Sequence, residues 1–429
     1  MGDLARDGDT DVRIRGLPPG NPGLLTEDVC VKSNRLCVDI TPGVGNPGVG
    51  SLGQTRTSLP RSLFDSRFIR DDQSLFWTNA ITGGGSLAHN PNDSSLSLSI
   101  GTANGEQILH QTKQYFPYLP SQSQFVLSSF LLATAKANLR QRVGMFDVNN
   151  GVFLLLSGTS APQFVRRSAV TGAPVEAAVT QASWNLDPLD GTGPSGVTLD
   201  LTKVQILIID FLWPGAIRMG FLIGGVIFYA HQFQTINIQA APSMGRASLP
   251  VRLEITNTAA TGSASALKHY VHAVQTEGRD ESLGVVRAVD MGSSSVTITG
   301  TRTPVLSIRA KSSDPFVTII PISVSSLSQN GNDFLWEIVI GGVLTGAAFA
   351  SISAASLTER DLAATVLTGG EVVASGYTSS QAQAVIGGLR TALVAGVLLD
   401  GTREPVTVAL TKSGTGNPKC FVALTYKEL

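Results

Sequence analysis

Short apolar segments bounded by turn-forming residues repeat along most of this chain, and they constrain the fold more than any other feature. The clearest segments in its first two-thirds lie at residues 124–132, 152–156, 204–211, 220–229 and 251–255. Each is shorter than an ordinary helix, and the last alternates apolar and polar residues with the period of two of a half-buried strand. Residues 71–280 show no amphipathic helical pattern. The pattern predicts an antiparallel β-sandwich over residues 71–280, of the jelly-roll-like kind in which two sheets pack face to face.

A second group of apolar segments predicts a smaller β-rich domain over residues 304–429. Strands are expected at residues 305–309, 316–323, 334–340, 371–376, 406–411 and 421–426. Two further segments, 357–365 and 380–394, are compatible with helices. Residues 281–303 lack a core pattern, which predicts a linker between the two domains.

The first 70 residues are rich in turn formers, including the segments LPPGNPG at 17–23 and PGVGNPG at 42–48. Proline removes a backbone donor and glycine is too free to pack a core, so residues 1–70 are predicted to form an extended arm with one short strand pair at 29–40. Residues 43–48 match the spacing of a dinucleotide-binding loop. That loop must open a helix, which Pro47 and the following glycines cannot do, so a glycine-rich loop is expected instead.

Charged residues are scarce, at 15% of the chain, against about 25% in ordinary globular proteins. The formal net charge is −1, so no global electrostatic attraction to nucleic acid or to an anionic membrane is expected. A weakly charged surface favours burial against protein partners. The most apolar stretch, residues 204–230, contains Asp210, Arg218 and the break at Trp213-Pro214-Gly215. It therefore predicts two buried strands around a turn rather than a membrane span.

Two histidines have a spacing that could place two metal ligands side by side. His269 and His272 lie three residues apart, with Glu277 nearby, and on a helix they would share one face. The surrounding sequence alternates like a strand, on which residues at this spacing point to opposite faces. We therefore expect these histidines to face solvent or to be satisfied in the core.

Acidic and basic residues near turns and strands offer further candidates. Asp187 and Asp190, with Asp200 and Asp210 farther on, could form a carboxylate pair or a calcium site, but tight turns also use aspartate in this way. Residues 147–151 are half of a calcium-loop pattern and receive the same interpretation. A small basic spot, or ion pairs with acids on a strand face, is expected from four arginines: Arg140, Arg142, Arg166 and Arg167.

The three cysteines, Cys30, Cys37 and Cys420, make neither a disulfide framework nor a common zinc spacing. A bridge between Cys30 and Cys37 across a small hairpin and free thiols both remain open. The sequence contains no nucleophile-elbow, zinc-protease or phosphate-loop pattern. It therefore predicts no catalytic, cofactor-binding or metal-binding residues, no cofactor, and a protein that is not an enzyme. A glycoside hydrolase on a β-sandwich is the alternative to that prediction; it would need two carboxylates about 5–10 Å apart across a groove, for which the sequence offers candidates but no motif.

A set of longer motifs is shared with known proteins. They read QTKQYFPY at 111–118, KANLRQRVG at 136–144, FDVNNG at 146–151, QASWN at 181–185, DGTGPSG at 190–196 and PVRLEI at 250–255. On these motifs, residues 111–277 resemble a family of virion structural proteins of marine tailed phages and large icosahedral double-stranded DNA viruses. The region from residue 304 resembles the tail domain that such proteins often carry.

The resemblance implies a structural component of the virion. Together with the low charge and the arm, it favours a capsid vertex (penton-type) or minor capsid protein. Expected partners are the major and minor capsid proteins and further copies of the chain, with a pentamer at a vertex. Neither specific nucleic acid binding nor a transmembrane segment is expected. The alternative is a receptor- or glycan-binding fibre or head-decoration protein with a lectin-like sandwich, for which Trp184, Trp213 and Trp336 are candidates, although their apolar contexts favour core packing.

Overall fold

A computed structural model describes residues 61–118, 122–276, 284–378 and 395–429, together with the backbone of six strands outside these ranges. Five of the six lie near the N-terminus: β1 (Leu4–Arg6), β2 (Val12–Ile14), β3 (Cys30–Lys32), β4 (Arg35–Cys37) and β5 (Val44–Gly45). The strand pair expected at 29–40 is confirmed, because β3 and β4 pair antiparallel with Cys30 opposite Cys37. The side chains of both cysteines lie outside the described part of the chain.

The larger domain is the predicted antiparallel sandwich. Its strands are β6 (Arg61–Arg67), β7 (Trp77–Thr82), β8 (Ser86–Asn90), β9 (Ser95–Ile100), β10 (Gln107–Thr112), β11 (Gln124–Leu131), β12 (Leu139–Phe146), β13 (Gly151–Ser157), β14 (Gln163–Ser168), β15 (Val175–Thr180), β16 (Gln205–Leu212), β17 (Ala216–Ile223), β18 (Val226–Gln234), β19 (Val251–Asn257) and β20 (Ser265–Thr276). A short 3-10 turn lies at Gln181–Ser183. The described ranges contain no α-helix.

Two sheets form this sandwich. The seven-stranded sheet has the order β15-β14-β13-β12-β19-β10-β7. The nine-stranded sheet has the order β5-β18-β17-β16-β11-β20-β9-β8, with β6 paired to β20. Alternate residues of each strand, such as Val143 on β12 and Leu154 on β13, are buried in the common core between the sheets. The residues between them lie on the outer face of the seven-stranded sheet, where the candidate site is found.

The apolar stretch at residues 204–230 forms β16, β17 and the start of β18, joined by the turn at Trp213-Pro214-Gly215 and a second turn at Gly224-Gly225. The expectation of buried strands around a turn is confirmed. Both turn glycines have positive φ, a conformation that side chains with a Cβ atom disfavour. Within the described residues, no helix is long and apolar enough to span a membrane.

The smaller domain is also β-rich. Its strands are β21 (Val285–Asp290), β22 (Val296–Thr297), β23 (Thr303–Ala310), β24 (Ile319–Ser328), β25 (Phe334–Ile340), β26 (Val343–Thr345), β27 (Ala350–Ser351), β28 (Thr358–Asp361), β29 (Val366–Thr368), β30 (Glu371–Thr378), β31 (Gln381–Val385), β32 (Val406–Lys412) and β33 (Lys419–Glu428). A five-stranded sheet around β33 and β24 and a six-stranded sheet around β23, β32 and β25 enclose a second core; β26 and β29 pair separately.

The observed secondary structure of this domain differs from two predictions made from the sequence. The segment 281–303 contains β21 and β22, because the long last strand β33 offers both of them a pairing edge that lies far away in sequence. The segment 357–365 forms β28, which pairs with β23, and the buried Thr358 hydroxyl bonds to the Glu428 carboxylate. At 380–394, residues 381–385 form β31, and the rest of that segment lies outside the described residues.

The two domains contact each other through polar and aromatic side chains. The Lys113 ammonium lies 2.8 Å from Glu404 Oε1, and both side chains are largely buried. The Tyr115 and Phe316 rings lie 4.3 Å apart, and the Arg246 guanidinium sits 4.0 Å over the Phe316 ring. Lys113, Tyr115 and Arg246 of the larger domain therefore contact Glu404 and Phe316 of the smaller one directly.

Candidate functional site

Arginine and glutamate side chains converge on the outer face of the seven-stranded sheet. Arg142 on β12 stands opposite Glu254 on β19, and Gly144 stands opposite Arg252. Two strands away, Arg167 on β14 stands opposite Glu176 on the edge strand β15. These positions alternate with core residues, so the sheet's period of two places all five charged side chains on one face.

The charged groups form a connected set of ion pairs. Arg142 bridges both glutamates, with Nη1 at 3.3 Å from Glu254 Oε2 and Nη2 at 3.7 Å from Glu176 Oε1. Arg167 Nη2 lies 2.6 Å from Glu176 Oε1, and Arg252 Nε lies 2.6 Å from Glu254 Oε1. Arg252 Nε has no hydrogen-bond partner among the described residues, so its contact with Glu254 is an ion pair without a hydrogen bond. The side chains of Arg142, Arg167, Arg252 and Glu254 are at most 12% exposed, whereas that of Glu176 is 36% exposed. The network is therefore shielded from water except at Glu176.

Two aromatic rings lie beside these cations on the same face. Phe146 and Phe153 are fully buried, with ring centroids 4.5 Å apart. The Arg142 guanidinium lies 5.2 Å from the Phe153 centroid, and that of Arg167 lies 5.1 Å from the same ring. A guanidinium over a ring face is attracted by the ring quadrupole. The rings therefore help to hold the arginines in place.

The network lines a pocket of about 350 Å³. Its lining consists of Gln107, Leu109, Arg140, Arg142, Val148, Arg167, Pro174, Glu176, Arg252 and Glu254. Four arginines face two glutamates, which leaves a surplus of two positive charges. Burial lowers the pKa of Arg142, Glu254 opposes that effect, and the neighbouring Arg140 and Arg167 lower the pKa further. The pocket is therefore a place where positive charge is crowded and poorly hydrated.

The arrangement suits the binding of an anion or of a polar molecule with many oxygen acceptors. Guanidinium groups present planar sets of donors, which match carboxylate, sulfate and hydroxyl oxygens. The two glutamates are already paired with arginines. They balance the cationic lining and are available as hydrogen-bond acceptors.

A second, larger cavity of about 790 Å³ lies at one end of the sandwich. Its lining is mainly apolar and includes Leu131, Leu156, Leu199 and Leu201. Its one cationic lining group, the ammonium of Lys136, donates to the Ser263 and Ala264 carbonyl oxygens. Apart from Lys136, the polar side chains in its lining are uncharged Ser, Thr and Gln groups, so this cavity lacks the concentration of charged groups found in the arginine pocket.

The four arginines singled out in the sequence divide between the two faces of the sheet. Arg140, Arg142 and Arg167 line the pocket. Arg166 lies next to Arg167 on β14 and therefore on the opposite face of the sheet. Arg142 and Arg167 make the expected ion pairs. Arg252, Glu254 and Glu176 were not predicted from the sequence as site residues. Polar residues at the outward positions of β19 were the available signal.

The aspartates singled out in the sequence hold turns and strands. Asp187 accepts hydrogen bonds from the Leu189 and Ser195 backbone amides, and Asp190 accepts them from Thr192. Asp200 bonds to Thr202 in the same way, and Asp210 pairs with Arg218 at 2.7 Å. Among the described residues, no group of three or more His, Cys, Asp or Glu side chains is placed so that it could hold a metal ion.

The turn at 147–151 is also held by its own side chains. Asp147 Oδ1 accepts hydrogen bonds from the Asn149 and Asn150 backbone amides. Asn150 Oδ1 accepts further ones from the backbone amides of Ala169 and Gly245. This turn therefore ties β12 to two neighbouring loops.

The histidine expectation needs a correction. His269 and His272 both point into the core, because a register shift between β11 and β20 at Ser129/Phe130 changes the alternation of β20 there. They join His110 in a buried cluster: the His269 ring lies 5.4 Å from His110 and 5.9 Å from His272. Both ring nitrogens of His269 and Nε2 of His110 and His272 lack a hydrogen-bond partner. Glu277 lies outside the described residues.

The remaining candidates are structural. Trp184 and Trp336 are 5% and 6% exposed, and the Trp213 indole donates to the Met244 carbonyl. None of the three lines the arginine pocket. Cys420 is buried with a free thiol, and burial raises its pKa to about 12.

Comparisons with known proteins bear on the fold. No family model matches the chain, and no curated protein matches it. Solved structures that it resembles include a family 16 glycosyl hydrolase from Mycobacterium smegmatis (7% identity, 50% of this chain, 100% of that chain, TM-score 0.36). Others are a β-1,3-glucanase from Mycobacterium marinum (10%, 50%, 98%, 0.35) and a legume lectin-like domain from Entamoeba histolytica (11%, 50%, 97%, 0.31). At these TM-scores, the functions of those proteins do not transfer to this chain.

One prediction is nevertheless corrected. The prediction that the chain is not an enzyme is wrong as an exclusion, because structures that match half of this chain are named as glycosyl hydrolases. It rested on missing short motifs, yet a sandwich can bring carboxylates together from strands far apart in sequence. Glu176 and Glu254, which meet on Arg142, illustrate that such proximity leaves no local motif.

Proposed function

We propose that the chain is a glycan-binding component of a virus particle, and that the arginine pocket is its recognition site. The observation that carries the proposal is the pocket itself, a concave site of about 350 Å³ on an open sheet face. Guanidinium donors, carboxylate acceptors and the Gln107 amide converge on it. Sugars present ring hydroxyls that both donate and accept, and such a mixed lining satisfies both roles.

The pocket also has an apolar component, which sugar rings need for their C–H faces. Leu109, Val148 and Pro174 line it, and Val148 is 63% exposed. The assignment to a virus particle is supported by the motif resemblance of residues 111–277. The low content of charged residues suits a chain that is covered by neighbouring proteins over much of its surface.

Filling the mouth of the pocket tests the proposal. Val148→Trp adds a large side chain at an exposed position, so the fold is expected to survive. We expect the wild-type chain to bind members of an immobilised glycan panel and the variant to lose about 10-fold or more in affinity.

Val226→Trp is the matched control, because Val226 is 42% exposed at the β17–β18 turn and does not line the pocket. Equal binding by both variants would contradict the assignment of the site. The same panel is assayed for glycan cleavage, which would extend the proposal to catalysis.

A vertex or minor capsid role is the second candidate, in which the chain assembles with itself and with major and minor capsid proteins in the virion. The motif resemblance favours it. So does the N-terminal strand β5, which adds to the edge of the nine-stranded sheet at Ile227 and Phe228. Proteins joined through arms use this kind of strand addition.

Native mass spectrometry of the full chain at low micromolar concentration tests the second candidate. A vertex requires five copies around one axis, so a closed pentamer is the expected result. A trimer would instead favour a fibre, and a monomer would contradict self-assembly of a free ring.

A further inference from the structure

We infer that the arginine pocket takes an anionic group of a glycan, a carboxylate or a sulfate, and that Arg140 is the residue that binds it. The inference rests on the proposed function and narrows it, because neutral glycans would not need the surplus of positive charge. An anionic ligand needs a guanidinium group that is not already paired within the pocket.

Three of the four arginines are already committed. Arg142 pairs with both glutamates, Arg167 with Glu176 and with the Asp147 carbonyl oxygen at 2.6 Å, and Arg252 with Glu254. Arg252 also donates to Gln111 Oε1 at 3.2 Å. These contacts use both negative charges of the pocket lining, and they leave one cation of the lining without an ion pair among the described residues.

Arg140 is that cation. It lines the pocket, and no ion pair or side-chain hydrogen bond of its guanidinium is found in the part of the chain that the structure describes. Its Nε is buried and unpartnered, and so is Nε of the neighbouring Arg142. A buried donor without an acceptor is unfavourable, and an entering anion would relieve both.

The geometry of the sheet places the two guanidinium groups together. Arg140 and Arg142 are separated by one residue on β12, so both side chains project from the same face of the sheet. A planar carboxylate, or a sulfate with three terminal oxygens, can accept hydrogen bonds from both side chains at once. Arg142 would then donate to the ligand while it remains paired with the glutamates.

The test compares glycans that differ in charge, using the full chain. The probes are oligogalacturonate, which carries carboxylates only, dextran sulfate, which carries sulfates only, and neutral dextran. We expect binding of at least one anionic probe and none of neutral dextran, with affinity falling as salt rises. Arg140→Gln should reduce anionic binding about 10-fold or more, because a charge-assisted contact is lost.

Arg166→Gln is the matched control, since Arg166 is the same residue type on β14 and does not line the pocket. Arg140→Lys should restore part of the binding if charge alone matters and little of it if the planar guanidinium is needed. The better of the two anionic probes identifies the group that is preferred.

Several outcomes would overturn the inference. Anionic binding that is unaffected by Arg140→Gln would remove Arg140 from the site. Equal binding of neutral and anionic probes, abolished by Val148→Trp, would leave the glycan pocket standing but refute its preference for anions. Absence of binding to all probes and to the glycan panel would refute the proposed function together with the inference.

Discussion

Lowering the pH from 7.5 to 5 will destabilise the sandwich strongly, because its core contains three neutral histidines. His110, His269 and His272 are fully buried, and no carboxylate among the described residues contributes to their pKa values. Burial lowers the pKa of His269 to about 3. It also lowers the pKa of His110 and of His272 well below the usual value, and neighbouring histidines add to the effect.

The sign follows from the two states. Below pH 6.5 the unfolded chain binds a proton on each of these imidazoles, whereas the folded chain does not until the pH is far lower. The free energy of unfolding therefore keeps its full value only well above pH 6.5, and it decreases as the pH falls through that range because protons bind to the unfolded chain. Between pH 7.5 and pH 5, protonation of each histidine in the unfolded chain lowers the free energy of unfolding by about 2 kcal/mol. The three histidines together lower it by about 6 kcal/mol. Urea unfolding at a series of pH values measures this slope.

His269→Leu isolates one member of the cluster, since neither of its ring nitrogens has a partner to lose. The variant should reduce the proton uptake on unfolding by one in the range of pH 5 to 6. His231, outside the cluster, has a pKa lowered to about 4 by burial and adds its own proton in both proteins. An unfolding free energy that stays constant from pH 7.5 to 5 would refute the prediction.

Gly144→Val is the second change for which we expect a large effect. A Cβ atom at this position would lie 2.3 Å from the Val152 carbonyl oxygen and 2.6 Å from Phe153 Cα. Both are backbone atoms of the paired strand β13, so neither can move without breaking the sheet. We expect a loss of at least about 3 kcal/mol in the free energy of unfolding.

Gly262→Val provides the control for Gly144→Val, because nothing lies within 4 Å of a Cβ atom built at Gly262. Its unfolding free energy should stay within about 0.5 kcal/mol of the wild type. Similar urea midpoints for the two variants would show that β12 and β13 can separate at Gly144. Because Gly144 lies between Arg142 and Phe146, its substitution should also disturb the pocket.

The sequence predicted the fold class well because strand periodicity is a local property. The segment at 334–340 corresponds to β25, and the segment at 124–132 to β11. Edge pairing is not local, and so β21 and β22 were missed: each is a short strand stabilised by the distant β33. The segment at 357–365 was misread for the same reason.

The candidate site was only half visible in the sequence. Arg140 and Arg142 could be recognised as outward residues on one strand, but the partners Glu254 and Glu176 come from β19 and β15. The histidine cluster was missed because it depends on a register shift between β11 and β20. A single extra residue reverses which face a side chain takes, and no residue type in that segment signals it.

The hydrogen bonds at Asn150 also bear on the chemical ageing of the protein. Asparagine followed by glycine deamidates readily in unfolded chains, because the glycine nitrogen attacks the side-chain amide with little steric hindrance. Here the Asn150 side chain is held by two backbone donors, Ala169 and Gly245, and the residue is only 6% exposed. Ring closure to a succinimide requires the side-chain carbonyl carbon to rotate towards the Gly151 nitrogen, and the two hydrogen bonds on its oxygen oppose that rotation. The folded turn therefore preserves a neutral amide at position 150 for as long as the sheet around it stays intact.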